Sequence, residues 1–283
     1  MAQWGLFVAF SFALTAVILL LARRSQDLVS RVADESADSP ESGPGVPADP
    51  VGGPDSVSDR ETVPSDTPGG SASHPERDIE LTPAAMLVNL GATQGLVALA
   101  VIVAAWSFDV PATALGVTDD TVGVGALGVG VGLGVVLWLG NELSTSVADA
   151  VGASYDERIR ALLAPDSLAG WVVLLAVVLP LVSLGEELLF RAALVGVPAA
   201  GFDVSPWLLA VVSSLAFALG HGAQGRVGVV VTGLLGFALA AGYVLTGSLL
   251  VVVVAHYVIN ALEFLVHEYL GVDSVLSSLS TPR

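Results

Sequence analysis

Residues 171–200 read WVVLLAVVLPLVSLGEELLFRAALVGVPAA, an apolar stretch interrupted by Glu186, Glu187 and Arg191. An ionisable side chain at the centre of a membrane helix costs roughly 2.5–3.5 kcal/mol on insertion scales, so such groups face a protein interior or a water-filled cavity. A cluster this dense needs a reason. Glu187 and Arg191 are four residues apart, on one helix face, where they can pair. Glu186 lies about 100° round the helix from Glu187 and is left for other work. The plainer alternative is a buried ion pair that only locks helix packing.

Working outward, apolar runs of similar length recur, in a 283-residue chain that is 54% hydrophobic and only 13% charged. That pattern predicts an all-α, polytopic membrane bundle of about seven transmembrane helices. Formal net charge is −17, and all ten basic residues are Arg. So acidic a balance argues against nucleic acid as a partner. An acidic, Lys-free chain also fits a cytoplasm of very high salt, where screening tolerates dense carboxylates, so the composition points to a halophilic prokaryote. There is no Cys, which excludes disulfides, thiolate metal sites and Cys nucleophiles.

Residues 1–22 form an apolar stretch closed by Arg23-Arg24. A cleavable signal would carry its charge before the apolar run, so this reads as an uncleaved anchor with its C-terminal end in the cytoplasm. Residues 23–82 hold eight Pro, thirteen Asp or Glu, five Arg and no aromatic residue. Such a segment buries too little apolar surface to offset its conformational entropy and is expected to be a disordered acidic linker, His74 included. Residues 83–270 are the expected membrane domain, with 271–283 a tail.

Within that domain, residues 83–106 and 121–140 are the second and third spans. The third contains Gly123-x-Gly125-x-x-Gly128, which matches a dinucleotide fingerprint on paper. That motif needs a preceding strand; inside an apolar 20-mer it reads as close helix packing. Residues 141–167 are polar and leave room for a short surface helix. In the central stretch Pro180 marks a kink. Residues 206–221 end in FALGHG, with Phe217 and His221 four apart. Residues 227–246 are a Gly-spaced span. The last span, SLLVVVVAHYVINALEFLVHEYL, sets His256, Asn260, Glu263 and His267 along one polar stripe. The alternative for this stripe is hydrogen bonding between helices, and it suits Glu263 and His267, near the helix end, best.

The last four spans thus gather carboxylates, an Arg, His and Asn in apolar helices with no cofactor motif. A carboxylate in an apolar pocket can serve as a general base. A neutral His can orient water or bind metal, and Asn can donate to an oxyanion. Together these parts suit activation of water against a carbonyl. No Ser nucleophile is obvious, although Ser213 and Ser214 share the His221 helix. H-E-x-x-H is absent.

Glu186-Glu187-x-x-x-Arg191, Phe217-x-x-x-His221 and His256-x-x-x-Asn260, with Thr246-Gly247-Ser248-Leu249 ahead of the last, resemble the three-motif signature of the CPBP family over a motif core of residues 165–268. That family comprises the type II CAAX prenyl endopeptidases, similar to the Ras-converting enzyme, together with bacteriocin-processing and immunity relatives. The resemblance implies a multi-pass cell-membrane endopeptidase that cuts a membrane-associated peptide or protein near the membrane face. It implies Glu186 as the base that activates water with His221 assisting, Glu187 and Arg191 as a supporting pair, and His256 and Asn260 holding the oxyanion. A zinc ion held by Glu186, His221 and His256 fits the family's metalloprotease label, and a metal-free mechanism fits equally well. The competing reading is a non-catalytic binding or immunity protein built on the same polar cluster. A transporter is a third, and it would show an inverted repeat of broken helices, which is not evident here.

Counting spans leaves one geometric question. Glu186 and His256 fall nearer one membrane face and His221 nearer the other, so a catalytic reading requires a kinked central helix and a short His221 helix.

Overall fold

The computed structural model describes residues 1–37, 82–150 and 158–272, and every regular element among them is helical. In chain order these are α1 (Trp4–Ala37), α2 (Pro83–Ser107), α3 (Val124–Ala150), α4 (Arg158–Leu163), α5 (Leu168–Phe202), α6 (Pro206–Gly220), α7 (Gly225–Thr246) and α8 (Leu249–Tyr269). The spans and the site lie in one unit, Met1–Val29 with Leu81–Arg283; the other, Ser30–Glu80, is described only as far as Ala37.

Six helices among the described residues are long and apolar enough to cross a bilayer. Their outward faces carry exposed large apolar side chains, among them Leu96, Leu99 and Val103 on α2 and Val129 and Val136 on α3. Such continuous apolar surface is stable against lipid, not water. The chain is therefore an all-α, multi-pass membrane protein. The expected count of about seven becomes six spans plus α6, which has only 15 residues. The shortfall arises because Pro206 starts the helix at its first turn and Gly220-His221-Gly222 ends it before a full crossing is complete.

The expected disordered segment 23–82 lies largely outside the described residues, which resume at Thr82. Within it, α1 continues past Arg24 to Ala37. The expected tail is described only to Val272.

α5 is the long central helix, and it is not a regular α-helix. A π-helical stretch at Leu174–Val178 precedes Pro180, and a second spans Leu188–Gly196. Pro180 has no N–H to give the preceding turn, and a wider turn ahead of it absorbs the mismatch. The kink read from Pro180 thus takes the form of a π-turn. The second widening follows directly on the Glu186-Glu187 pair. Gly196 lets the helix pass Tyr243 and the Ala114 carbonyl, where a Cβ would collide.

α3 packs along α8, and α6 along α7, while α2 and α8 flank α5. The α3–α8 contact is made by Gly130 and Gly134. A Cβ on Gly130 would stand 2.8 Å from the Val251 carbonyl oxygen, and one on Gly134 would stand 2.8 Å from that of Ala255. This corrects the sequence expectation in detail. The apolar 20-mer does use glycine for close packing, but Gly123, Gly125 and Gly128 face open space, and the contacting pair begins two residues beyond Gly128. Four-residue spacing, not the fingerprint spacing, keeps two glycines on one face.

α3 also continues ten residues beyond the expected end at Gly140, to Ala150. This carries Asn141 and Glu142 on a helix rather than in a loop. α4 is the short helix anticipated in the polar segment; Asp156 and Glu157 lie outside the described residues. α8 begins cleanly: Gly247 takes the left-handed conformation (φ 61°) that closes α7, and the Ser248 hydroxyl accepts from Val251 N at 3.2 Å.

Candidate active site

Two buried charges sit at the centre. Arg191 and Glu187 are both 0% exposed, and Arg191 Nη1 donates to Glu187 Oε1 at 2.9 Å. The pairing follows from their spacing of four on α5. Removing two such ions from water is costly unless further partners compensate; the fold supplies several, while Glu187 Oε2 and Arg191 Nε are buried without a hydrogen bond among the described residues. Arg191 Nη2 donates to the Gly236 carbonyl of α7 at 2.9 Å, and its guanidinium lies 4.7 Å from the centroid of the Phe217 ring of α6. Gly236 is bare because a Cβ there would meet Phe217 at 2.9 Å. From the other side, His256 Nδ1 of α8 lies 2.7 Å from Glu187 Oε1. Because that partner is acceptor-only when ionised, Nδ1 is the protonated nitrogen that donates.

With Nδ1 committed, His256 Nε2 is turned the other way. It points towards Glu186 Oε2 at 3.7 Å, beyond direct hydrogen-bond range. Glu186 differs from Glu187 as the helix geometry predicts: it is 12% exposed where Glu187 is fully buried, it faces His256 Nε2, and it lacks an Arg partner at salt-bridge distance among the described residues. Its Oε1 accepts from Gln94 Nε2 of α2 at 3.0 Å.

His221 caps the end of α6. Its Nδ1 lies 2.8 Å from the Phe217 carbonyl, so Nδ1 carries the proton and Nε2 is free of that bond. The His221 ring is 4.5 Å from the Phe217 ring, which is 6.3 Å from the His256 ring. The depth question is answered here. Because α6 is short, its C-terminal end stops at the level of His256, and both imidazoles line one cavity of about 220 Å³ together with Asn260. The Asn260 side chain makes no hydrogen bond among the described residues.

Ser213 and Ser214 are committed elsewhere: their hydroxyls donate to the carbonyls of Phe190 and Ala210. The proposed metal ligands are not gathered. Among the described residues the one trio with ligand atoms within 4.8 Å of each other is Glu142, Glu263 and His267, not Glu186, His221 and His256. The six motif residues therefore divide into a buried scaffold of Glu187 and Arg191, a facing pair of Glu186 and His256, and two cavity-lining side chains, His221 and Asn260.

The Glu142 trio belongs to a second polar cluster at the C-terminal ends of α3 and α8, whose Asn141, Arg160 and Glu263 line the same cavity as His221, His256 and Asn260. His267 Nε2 lies 2.7 Å from Glu142 Oε1, Asn141 donates to Glu263 at 2.7 Å, and Arg160 of α4 reaches Glu263 at 3.0 Å and Glu268 at 2.8 Å. With Arg160 already on Glu263, the cluster reads as the interhelical network anticipated for Glu263 and His267. Asn141, Glu142, Arg160 and Gln94 were not anticipated from sequence. A Gln inside the apolar run of α2 was the one available signal for the last of these.

Residues 168–262 match the model of the family described as type II CAAX prenyl endopeptidase Rce1-like. The matched stretch runs from the start of α5 into α8 and carries all six motif residues, so the family resemblance holds over that segment. Over that segment the chain is similar to CAAX-type membrane endopeptidases. No curated protein and no solved structure matches the chain.

Proposed function

We propose that this protein is an intramembrane endopeptidase in which Glu186 activates water for attack on a peptide carbonyl. The observation that carries the reading is the pairing of Glu186 Oε2 with His256 Nε2 at 3.7 Å. That gap is too wide for a direct bond, and the two acceptors converge on one point, so that a single water seated beside the pair, with a slight widening of it, can direct a proton towards each. Glu187 fixes the His256 ring by accepting the hydrogen bond from Nδ1–H, so Nε2 stays directed at Glu186. Arg191 in turn holds Glu187, and neither of these two touches the reacting atoms in this reading.

The attack builds negative charge on the substrate oxygen. The amide of Asn260, on the cavity wall, is suited to donate to that oxygen. His221 Nε2, freed by the tautomer that its Phe217 bond fixes, is suited to hold water or to relay the proton to the leaving amine. Glu186, His221 and His256 do not converge as a three-ligand metal site, so no step is routed through a metal. The substrate is a membrane-associated peptide or protein, because the cavity lies among helices that face lipid on their outer sides.

The test is peptide-terminus mass spectrometry on membranes from cells carrying wild type or Glu186→Gln at matched protein level. New termini present only with wild type are expected, and they name the substrate. Identical termini with both folded proteins would sink the reading.

A further inference from the structure

We infer that Gln94 of α2, outside the matched segment, is a positioning residue for Glu186. This inference rests on the endopeptidase reading. Three observations converge on it. First, Gln94 Nε2 donates to Glu186 Oε1 at 3.0 Å, which leaves Oε2 as the oxygen that faces His256. Second, α2 packs against α5 at the level of Gln94. Gly91 and Gly95, four apart on α2, face Val178 and Leu181 of α5, where a Cβ would be in ordinary contact, so α2 lies close against α5 at this level. Third, Gly185, the residue before Glu186, is pressed against Gln94 itself. A Cβ at 185 would stand 2.7 Å from the Gln94 carbonyl oxygen and 2.9 Å from its Oε1. Gly185 is buried, and the three atoms nearest to such a Cβ all belong to Gln94.

The arrangement works as a clamp. Gln94 Oε1 rests over the bare Cα of Gly185 while Nε2 reaches the next residue's carboxylate. A free carboxylate rotates about its last torsion. One donor on Oε1 stops that rotation and holds the other oxygen towards His256. A neutral amide does this without adding a cation that would draw the carboxylate away from water. Polar groups inside apolar helices are expensive, and among the described residues this is the one side-chain hydrogen bond that α2 makes to another helix.

The experiment compares purified full-length wild type, Glu186→Gln, Gln94→Leu and the isosteric Gln94→Glu in detergent. The probe is an internally quenched peptide ending in a farnesylated Cys-aliphatic-aliphatic-X sequence. Both Gln94 variants are expected to lower kcat by about 10–100-fold, with KM within about twofold, as for a displaced reacting group. Their melting temperatures should match wild type. If kcat stays within twofold of wild type while Glu186→Gln is inactive, the Gln94 inference is overturned and the endopeptidase reading stands. If Glu186→Gln cleaves like wild type, that reading fails instead. A loss of melting temperature that parallels the loss of kcat would make Gln94 a packing residue only, which also overturns the inference. A substrate-free readout decides the matter if wild type does not cut the probe. The infrared difference between wild type and Glu186→Gln isolates the Glu186 carboxylate stretch. It should move in Gln94→Leu, and an unmoved band overturns the inference.

Discussion

His256 donates its Nδ1 proton to Glu187 Oε1 across 2.7 Å, bonding α8 to α5 deep among apolar side chains. Glu187 accepts from Arg191 through the same oxygen. One carboxylate thus carries charge balance and ring orientation together, and its neighbour in sequence is left for chemistry.

The two glutamates should therefore respond differently to the same substitution. Glu187→Gln leaves Arg191 buried without a counter-charge, a change that costs about 3–5 kcal/mol. Glu186→Gln keeps an acceptor for Gln94 and strips no cation of its partner, so about 1 kcal/mol or less is expected. Thermal melting in detergent should show a large drop for the first and a small one for the second, while cleavage is lost in both.

Arg191→Lys should not substitute for Arg. A single ammonium cannot bond Glu187, bond the Gly236 carbonyl and lie over Phe217 as the planar guanidinium does. The Gly236 carbonyl then loses its partner, a loss of about 1–3 kcal/mol. The measured quantity is the melting temperature, and an unchanged value would contradict the geometry described for Arg191.

The glycines of α3 offer a paired control. Gly134→Val drives methyl groups into Val258 and the Ala255 carbonyl and should cost about 1–3 kcal/mol or more by overpacking. Gly125→Val, nine residues earlier on the same helix, enters open space and should be neutral. Size-exclusion profiles and melting curves of the two variants separate the outcomes.

Arg160→Ala removes the ties from α4 to Glu263 and Glu268. Amide exchange over Arg158–Leu163 is expected to accelerate by about tenfold, as local opening becomes easier. Equal exchange rates in variant and wild type would show that α4 is held by other contacts.

Helix-borne features were legible because their rules are local. Spacing of four predicts the Glu187–Arg191 pair, and the 100° step predicts that Glu186 faces elsewhere. Hydropathy marks the spans for the same reason. Contacts between helices were not legible. Nothing in α2 alone says that Gln94 meets Glu186, since that depends on how Gly185 of α5 lets the two helices approach. Asn141 and Glu142 fall in the polar segment after the third span because polar residues end a hydropathy window, whereas the helix hydrogen bonds continue through them. The glycines of α3 were assigned from a motif spacing when the partner helix, unseen in sequence, selects Gly130 and Gly134.

The 15 residues of α6 have a consequence for the second reactant. At about 1.5 Å per residue the helix advances about 22 Å, against a hydrocarbon thickness of about 30 Å. Lipid beside His221 has to thin or admit headgroups and water to meet it. Hydrolysis consumes water inside a layer that excludes it, and the stunted helix opens a dent through which water reaches the imidazole. The supply of solvent to the cavity then depends on the bilayer as much as on the protein, and thicker lipids should starve it.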